Sequence, residues 1–279
     1  MKPKSLFRMF KAFLYPPKCL ACGSLFQAVH RCRHDALNPE RHAPSGNAAT
    51  PNLFEKAVSG FLCPACNTGC TPVEPPFCTQ CGTLFSSSGE DHMCDACIRT
   101  PPFFDSARAF GVYENSLMAL VHSLKYKKDL QVARPLGQML FNCLNRFFSD
   151  IEMDAAVPVP LHPIKFRARG FNQAYLLMRR WPDMMGSGDA CLSGFKIKKS
   201  IIERKKNTRS QAGMDGNARL SNVKGAFYLK DPSEVSGKRI LVVDDVMTTG
   251  ATVNECAKTL KKGGAREVHV LTLARTCIG

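Results

Sequence analysis

"RILVVDDVMTTGAT", residues 239–252, decides how this chain is read. The apolar run Ile240–Val243 has the composition of a buried strand and stops at two adjacent aspartates, Asp244 and Asp245. Val246, Met247, Thr248, Thr249, Gly250, Ala251 and Thr252 then lead into a helical pattern that starts near residue 249 and closes at Gly263-Gly264. Free backbone N–H groups at the helix start, the positive end of its dipole and the three threonine hydroxyls make an anion cradle. Gly250 lets the backbone approach closely. Two carboxylates beside such a cradle do not suit phosphate itself. They suit neighbouring hydroxyls, as on a ribose, or a Mg²⁺ shell. The ligand implied is a sugar phosphate with vicinal hydroxyls, and both acids are expected at a strand end, outside the core.

The flanking sequence alternates strands and helices. Residues 105–113 read as a strand, and Leu117, Leu120, Val121 and Leu124 keep helical spacing. A second helix runs through Leu136, Leu140, Leu144 and Phe147. Residues 155–160, "AAVPVP", form a short strand ending in prolines, 170–181 a helix entered from a glycine, and 267–273 another apolar strand. Such alternation predicts an α/β domain over 104–279: a mainly parallel sheet with right-handed crossovers and helices on both faces. Ligands of such sheets bind at the carboxyl ends of the strands, where Asp244 and Asp245 fall.

The first hundred residues differ in texture. Ten of the fourteen cysteines fall there, eight of them in four Cys-x-x-Cys knuckles: Cys19/Cys22, Cys63/Cys66, Cys78/Cys81 and Cys94/Cys97. A two-residue spacer lets both thiolates of a knuckle reach one metal, and two knuckles complete a tetrahedral site. One or two structural Zn²⁺ ions are expected, with the last two knuckles as the firmer pair and crossed pairing left open. Such sites have no open coordination position, which favours structure over chemistry. His30, Cys32, His34 and Cys70 lack a matching partner pair and read as bystanders. The stretch at about 24–60, rich in Pro, Asn, Ala and His, reads as a mobile insert within a Cys-rich module over 1–100.

Charge adds a further constraint. The net charge is +15, clustered at residues 1–22 and 196–209. Basic clusters of this kind point to phosphates, whether of a nucleotide-like ligand, of nucleic acid or of a membrane surface. No stretch is long and apolar enough for a transmembrane span, and Leu6–Leu14, broken by Arg8 and Lys11, makes a poor export signal. A reducing, cytoplasmic compartment is therefore expected, with the basic N-terminal segment packed on the protein or lying at the inner face of the membrane. Near the sheet's ligand end, His162 and then Lys165, Arg167 and Arg169 follow the "AAVPVP" strand, and Lys125, Tyr126 and Lys127 form a second basic set. A loop bearing the first set could close over an anion and exclude water. His162 reads equally as a ligand or as a turn residue.

The 239–252 string resembles the fingerprint of the type I phosphoribosyltransferases, which bind phosphoribosyl pyrophosphate (PRPP). That resemblance implies ribose on Asp244 and Asp245 and the 5′-phosphate on Met247–Thr252. The four knuckles, "LKYKK" (124–128), "VPVPLHP" (157–163), "RGFNQA" (169–174), "TRSQAGM" (208–214) and "NVKGAF" (222–227), in this order, resemble the ComF family. The family resemblance implies a double zinc ribbon joined to a phosphoribosyltransferase domain, PRPP with Mg²⁺ as ligands, and a part in handling incoming single-stranded DNA with DNA-uptake proteins. Two functions follow as expectations: transfer of the phosphoribosyl group to an unknown acceptor, or a non-catalytic PRPP- and single-stranded-DNA-binding accessory role. For DNA, the basic clusters and the aromatics Phe77 and Phe85 beside the knuckles would supply the surface.

Overall fold

A computed structural model of the chain describes residues 16–27, 53–86, 88–185, 195–206 and 223–276. Most of the expected insert, the bystanders His30, Cys32 and His34, the "TRSQAGM" string and the start of the chain lie outside the described residues.

Three short helices, α1 (Leu53–Val58), α2 (Pro64–Asn67) and α3 (Asp95–Arg99), accompany the cysteine knuckles. The chain then enters β1 (Ser106–Val112), α4 (Asn115–His122) and a π-helical turn, Ser123–Lys127. After these come α5 (Ala133–Phe148), β2 (Ala155–Pro158), α6 (Pro163–Arg169) and α7 (Gln173–Met178). Next are β3 (Lys196–Ile197), β4 (Ile202–Arg204) and β5 (Phe227–Leu229). The last elements are β6 (Arg239–Met247), α8 (Ala251–Lys262) and β7 (Glu267–Arg275).

Five of the strands form one parallel sheet in the order β1-β7-β6-β2-β3, and β4 and β5 make a separate antiparallel pair. Central strand β6 is buried on both faces, which is why its sequence is continuously apolar rather than alternating. Leu241 and Val243 face α4, α5 and α7, while Ile240 and Val242 pack with Val253, Cys256, Ala257 and Leu260 of α8. Helices thus cover both faces. On the first face α5 and α7 approach closely at Gly137, where an added Cβ would stand 2.3 Å from the Leu177 carbonyl. Trp181 is fully buried beside them and its indole N–H donates to that glycine's carbonyl at 3.2 Å.

Strand β6 is longer than its apolar run. It continues through both aspartates to Met247, because β7 supplies backbone partners whatever the side chains are: Asp244 pairs with Thr272 and Met247 with Arg275. Both acids are therefore buried, Asp244 at 8% and Asp245 at 3% exposure, which corrects the expectation that they lie outside the core. Helix α8 correspondingly starts at Ala251, after Gly250 at φ 75°.

The Cys-rich segment lies along the free edge of β1. Val73 N–H donates to Phe110 O at 3.0 Å, Val112 N–H to Thr71 O at 2.8 Å and Ala107 N–H to Gln80 O at 2.7 Å. An open sheet edge is thereby covered. Phe54, Val58 and Leu62 join the same core as α4 and α5.

Candidate functional site

Asp244 and Asp245 sit at the carboxyl end of β6, next to the carboxyl end of β2, where Val159 N–H donates to Val243 O at 2.8 Å. The order of the sheet reverses direction between these two strands, a position where α/β sheets open a crevice. Asp245 forms an ion pair with Lys125, Nζ to Oδ2 2.7 Å, with both side chains largely shielded from solvent. Asp244 Oδ1 accepts the Asp245 amide at 2.9 Å. Burial, and then the charge of Asp245, push the Asp244 carboxyl well above the ordinary carboxylate range. Burial works against the charge on Lys125, but Asp245 and Asp244 more than offset it and leave its pKa raised.

The loop after β6 is built for close approach. At Gly250 an added Cβ would stand 2.8 Å from Met247 Cε, and the backbone is left-handed. Thr249 Oγ1 accepts the Ala251 amide at 3.4 Å. Thr248 and Thr252 are half-buried and Thr249 is exposed, while Val246 is half-buried beneath them. The cradle from Met247 to Thr252 stands directly beyond the acid pair, at the N-terminus of the twelve-residue helix α8.

Of the basic residues singled out in the sequence, three take defined places. Lys125 holds Asp245. Lys165 is half-buried; burial, then Arg204 and Arg169, lower its pKa, so these three cations converge. Arg169 donates to Gln173, which is buried at the start of α7. Lys127 and Arg167 are exposed, and neither pairs with the acids. His162 is a helix cap: its Nδ1 accepts the Ile164 amide at 3.3 Å, and Pro163 begins α6.

Arg204 was not singled out by the sequence. It is buried at 8% exposure on β4, its pKa lowered by burial against the pull of Cys256 and Asp244. In the sequence it is one of seven basic residues in 196–209, and only the fold turns this one inward. Four lysines of that run are engaged individually. Lys198 pairs with Glu234, Lys199 lies over Tyr175, Lys205 over Tyr228, and Lys206 donates to Lys224 O.

The eight knuckle cysteines form two groups, Cys19, Cys22, Cys63 and Cys66, and Cys78, Cys81, Cys94 and Cys97, each with all sulfurs within 4.8 Å of one another. Pairing is sequential, not crossed. The Cys22–Cys63 and Cys81–Cys94 sulfurs are 3.8 Å apart. Four sulfurs about 2.3 Å from a shared Zn²⁺ would stand about 3.8 Å from one another, so the thiols fit that ion. Backbone N–H groups of Cys81 and Cys94 point at Cys78 Sγ at 3.4 and 3.3 Å, as around a thiolate ligand. Gly23 and Gly82 close the knuckle turns at φ 78° and 71°. Cys70 stands apart from both groups. Phe77 is buried at 4% exposure beneath the Arg108 guanidinium, so it offers no face to a nucleic-acid base; half-buried Phe85 stacks on His92.

The five-stranded parallel sheet with helices on both faces is that of a phosphoribosyltransferase-type domain, and the family described as "Phosphoribosyl transferase domain" matches residues 191–277. Competence protein F of Haemophilus influenzae is 31% identical over 207 residues, 72% of this chain and 85% of that protein. The DNA utilization protein YhgH of Escherichia coli K12 is 32% identical over 222 residues, 77% of this chain and 90% of that protein. This chain belongs to the ComF family, the family of these competence proteins. A purine phosphoribosyltransferase of Pyrococcus horikoshii aligns over 52% of this chain and 78% of that one, at 18% identity and a TM-score of 0.30.

Proposed function

We propose that the chain binds PRPP at the carboxyl end of β6 and transfers its phosphoribosyl group. The observation that carries this reading is the acid pair followed directly by the 247–252 loop, with Arg204 close enough to feel the charge of Asp244 and Lys165 close enough to feel Arg204 and Arg169. Asp244 and Asp245 would accept the ribose hydroxyls, and the loop would hold the 5′-phosphate through backbone N–H groups and threonine hydroxyls. Lys165, Arg169 and Arg204 would face the pyrophosphate. Burial and then repulsion from Arg204 and Arg169 lower the pKa of Lys165, and a dense anion would offset both. In the reaction the acceptor attacks C1 as the C1–O bond to pyrophosphate breaks, and the leaving pyrophosphate takes the electron pair. Positive side chains placed where that charge develops lower the barrier. Asp245 is partly engaged by Lys125, and Asp244 by the Asp245 amide. The oxygens left suit hydroxyls, and Mg²⁺ would bind chiefly through phosphate oxygens. The relatives named for competence and DNA utilization support a role in DNA uptake.

A second reading is a PRPP- and single-stranded-DNA-binding accessory protein of the cytoplasm or its membrane face, and the +15 charge favours it. Against it, Arg204 of the basic run is buried within reach of the charge of Asp244, and Lys198 is paired with Glu234. Pyrophosphate release on supplying PRPP, Mg²⁺ and a panel of acceptors separates the two. Transfer predicts steady release with some acceptor. Saturable PRPP binding with no release from any acceptor leaves the accessory role.

A further inference from the structure

We propose that Tyr126 is a stacking platform for a planar heteroaromatic ring, beside the acid pair. The π-helical turn Ser123–Lys127 sends three consecutive side chains to three environments. Leu124 is buried in the core, Lys125 turns in to Asp245 at 2.7 Å, and Tyr126 stands 63% exposed. Widened helical turns of this kind often mark functional sites. Lys128, at φ 55°, ends the turn in the left-handed region, an uncommon state for a side chain of this type.

The exposed ring is braced rather than loose. The His122 ring stands nearly perpendicular to it, 5.2 Å between centroids, and Tyr113 lies 6.2 Å from His122. The Arg169 guanidinium lies 5.9 Å from the Tyr126 centroid, and Arg169 is tied in turn to buried Gln173. Burial raises the Tyr113 pKa, and the charges of Lys125, Asp245 and Tyr126 act on it in turn, so all four groups share one neighbourhood. The exposed phenol and the guanidinium set over its ring are both flat groups that a nucleobase can stack against. An aliphatic or purely anionic ligand would make no use of the ring. The stacked ring belongs to a free nucleobase or to a base of a single strand, which share this chemistry. That the ring faces the ribose rests on the PRPP reading above; the stacking itself does not.

The chain carries one tryptophan, Trp181, which is buried, so Tyr126→Trp places its only exposed indole on the platform. Adenine, uracil and oligothymidylate are titrated against Tyr126→Trp by fluorescence, and against wild type, Tyr126→Phe, Tyr126→Leu and Tyr126→Ala by calorimetry. PRPP alone is titrated against each. Saturable quenching is expected in Tyr126→Trp and wild-type affinity in Tyr126→Phe. Tyr126→Leu and Tyr126→Ala lose about 5- to 150-fold, the worth of one stacked base. PRPP affinity stays within about twofold throughout. A loss with free bases assigns the ring to a small acceptor, and a loss with oligothymidylate alone assigns it to a strand; both support the platform. Equal affinity of all variants for every ring ligand overturns it. So does failure of wild type to bind any of them, or loss of PRPP affinity in step with the ring ligands. Wild type that ignores PRPP yet shows the Tyr126 effects rejects the PRPP reading and leaves the platform standing.

Discussion

Burial and then the charge of Asp245 oppose ionisation of Asp244, and its carboxyl stands well above the ordinary range. A folded-state value raised in this way favours the native state at low pH. That contribution is lost as pH rises through the raised value, so the ionised carboxylate is a net cost near neutrality. Asp244→Asn is therefore expected to stabilise the fold by about 0.5–2 kcal/mol, read as a higher denaturant midpoint. The same change is expected to weaken PRPP binding by about 1–3 kcal/mol, read by calorimetry. In wild type, PRPP affinity should fall on acidification at a higher pH than an exposed aspartate would give, and Asp244→Asn should flatten that limb. In Lys125 it is the charged form that is favoured: its raised value makes its contribution present below the ordinary lysine range and lost only at strongly alkaline pH. Lys125→Met leaves Asp245 buried without its counter-charge and should cost about 3–5 kcal/mol at neutral pH, seen as a lower urea midpoint. The aspartates and Lys125 were legible as residue types at suggestive places. Their ion pair was not, because nothing local links two residues so far apart in the chain.

At the scale of elements, strand–helix alternation was readable because apolar periodicity is a local property. The far end of β6 was not, since its last residues are strand only through pairing with β7. His162 showed the limit of reading chemistry from residue type: the following Pro163 makes it a helix cap. Gly250 tests the cradle as an element. A Cβ there meets Met247 in a left-handed backbone, so Gly250→Ala should lower both stability and PRPP affinity, by about 1–3 kcal/mol in stability. The loss in affinity should exceed that of a Gly237→Ala variant, which shares a positive φ but has open space around its Cβ. Calorimetry on the two variants makes the comparison.

For the whole molecule, the cysteine groups and the sheet are joined by hydrogen bonds. Arg275, buried at the end of β7, donates to Cys81 O at 2.6 Å and to Thr83 Oγ1 at 2.7 Å, and the Thr276 amide donates to Met247 O at 3.1 Å. The second cysteine group is thus joined to the strand end that begins the cradle. Elemental analysis should find two Zn²⁺ per chain, falling to one in Cys78→Ser/Cys81→Ser, with a lowered thermal midpoint for the whole chain. A folded, metal-free wild type would contradict the zinc reading. The knuckles were plain in the sequence from their spacing; their seat on β1 and β7 was not, since it depends on Gly82, whose Cβ would stand 2.5 Å from Ala107 O. Net charge was legible too, but its distribution was not: Arg204 turns inward while Lys205 and Lys206 do not.

Calorimetric titration of PRPP into wild type and Asp244→Asn/Asp245→Asn, in Mg²⁺ buffer, tests the central claim most directly. Saturable binding to wild type, weakened at least tenfold in a double variant that remains folded, is the result the account predicts. Equal PRPP affinity in the two proteins, or no binding to folded wild type, would contradict it.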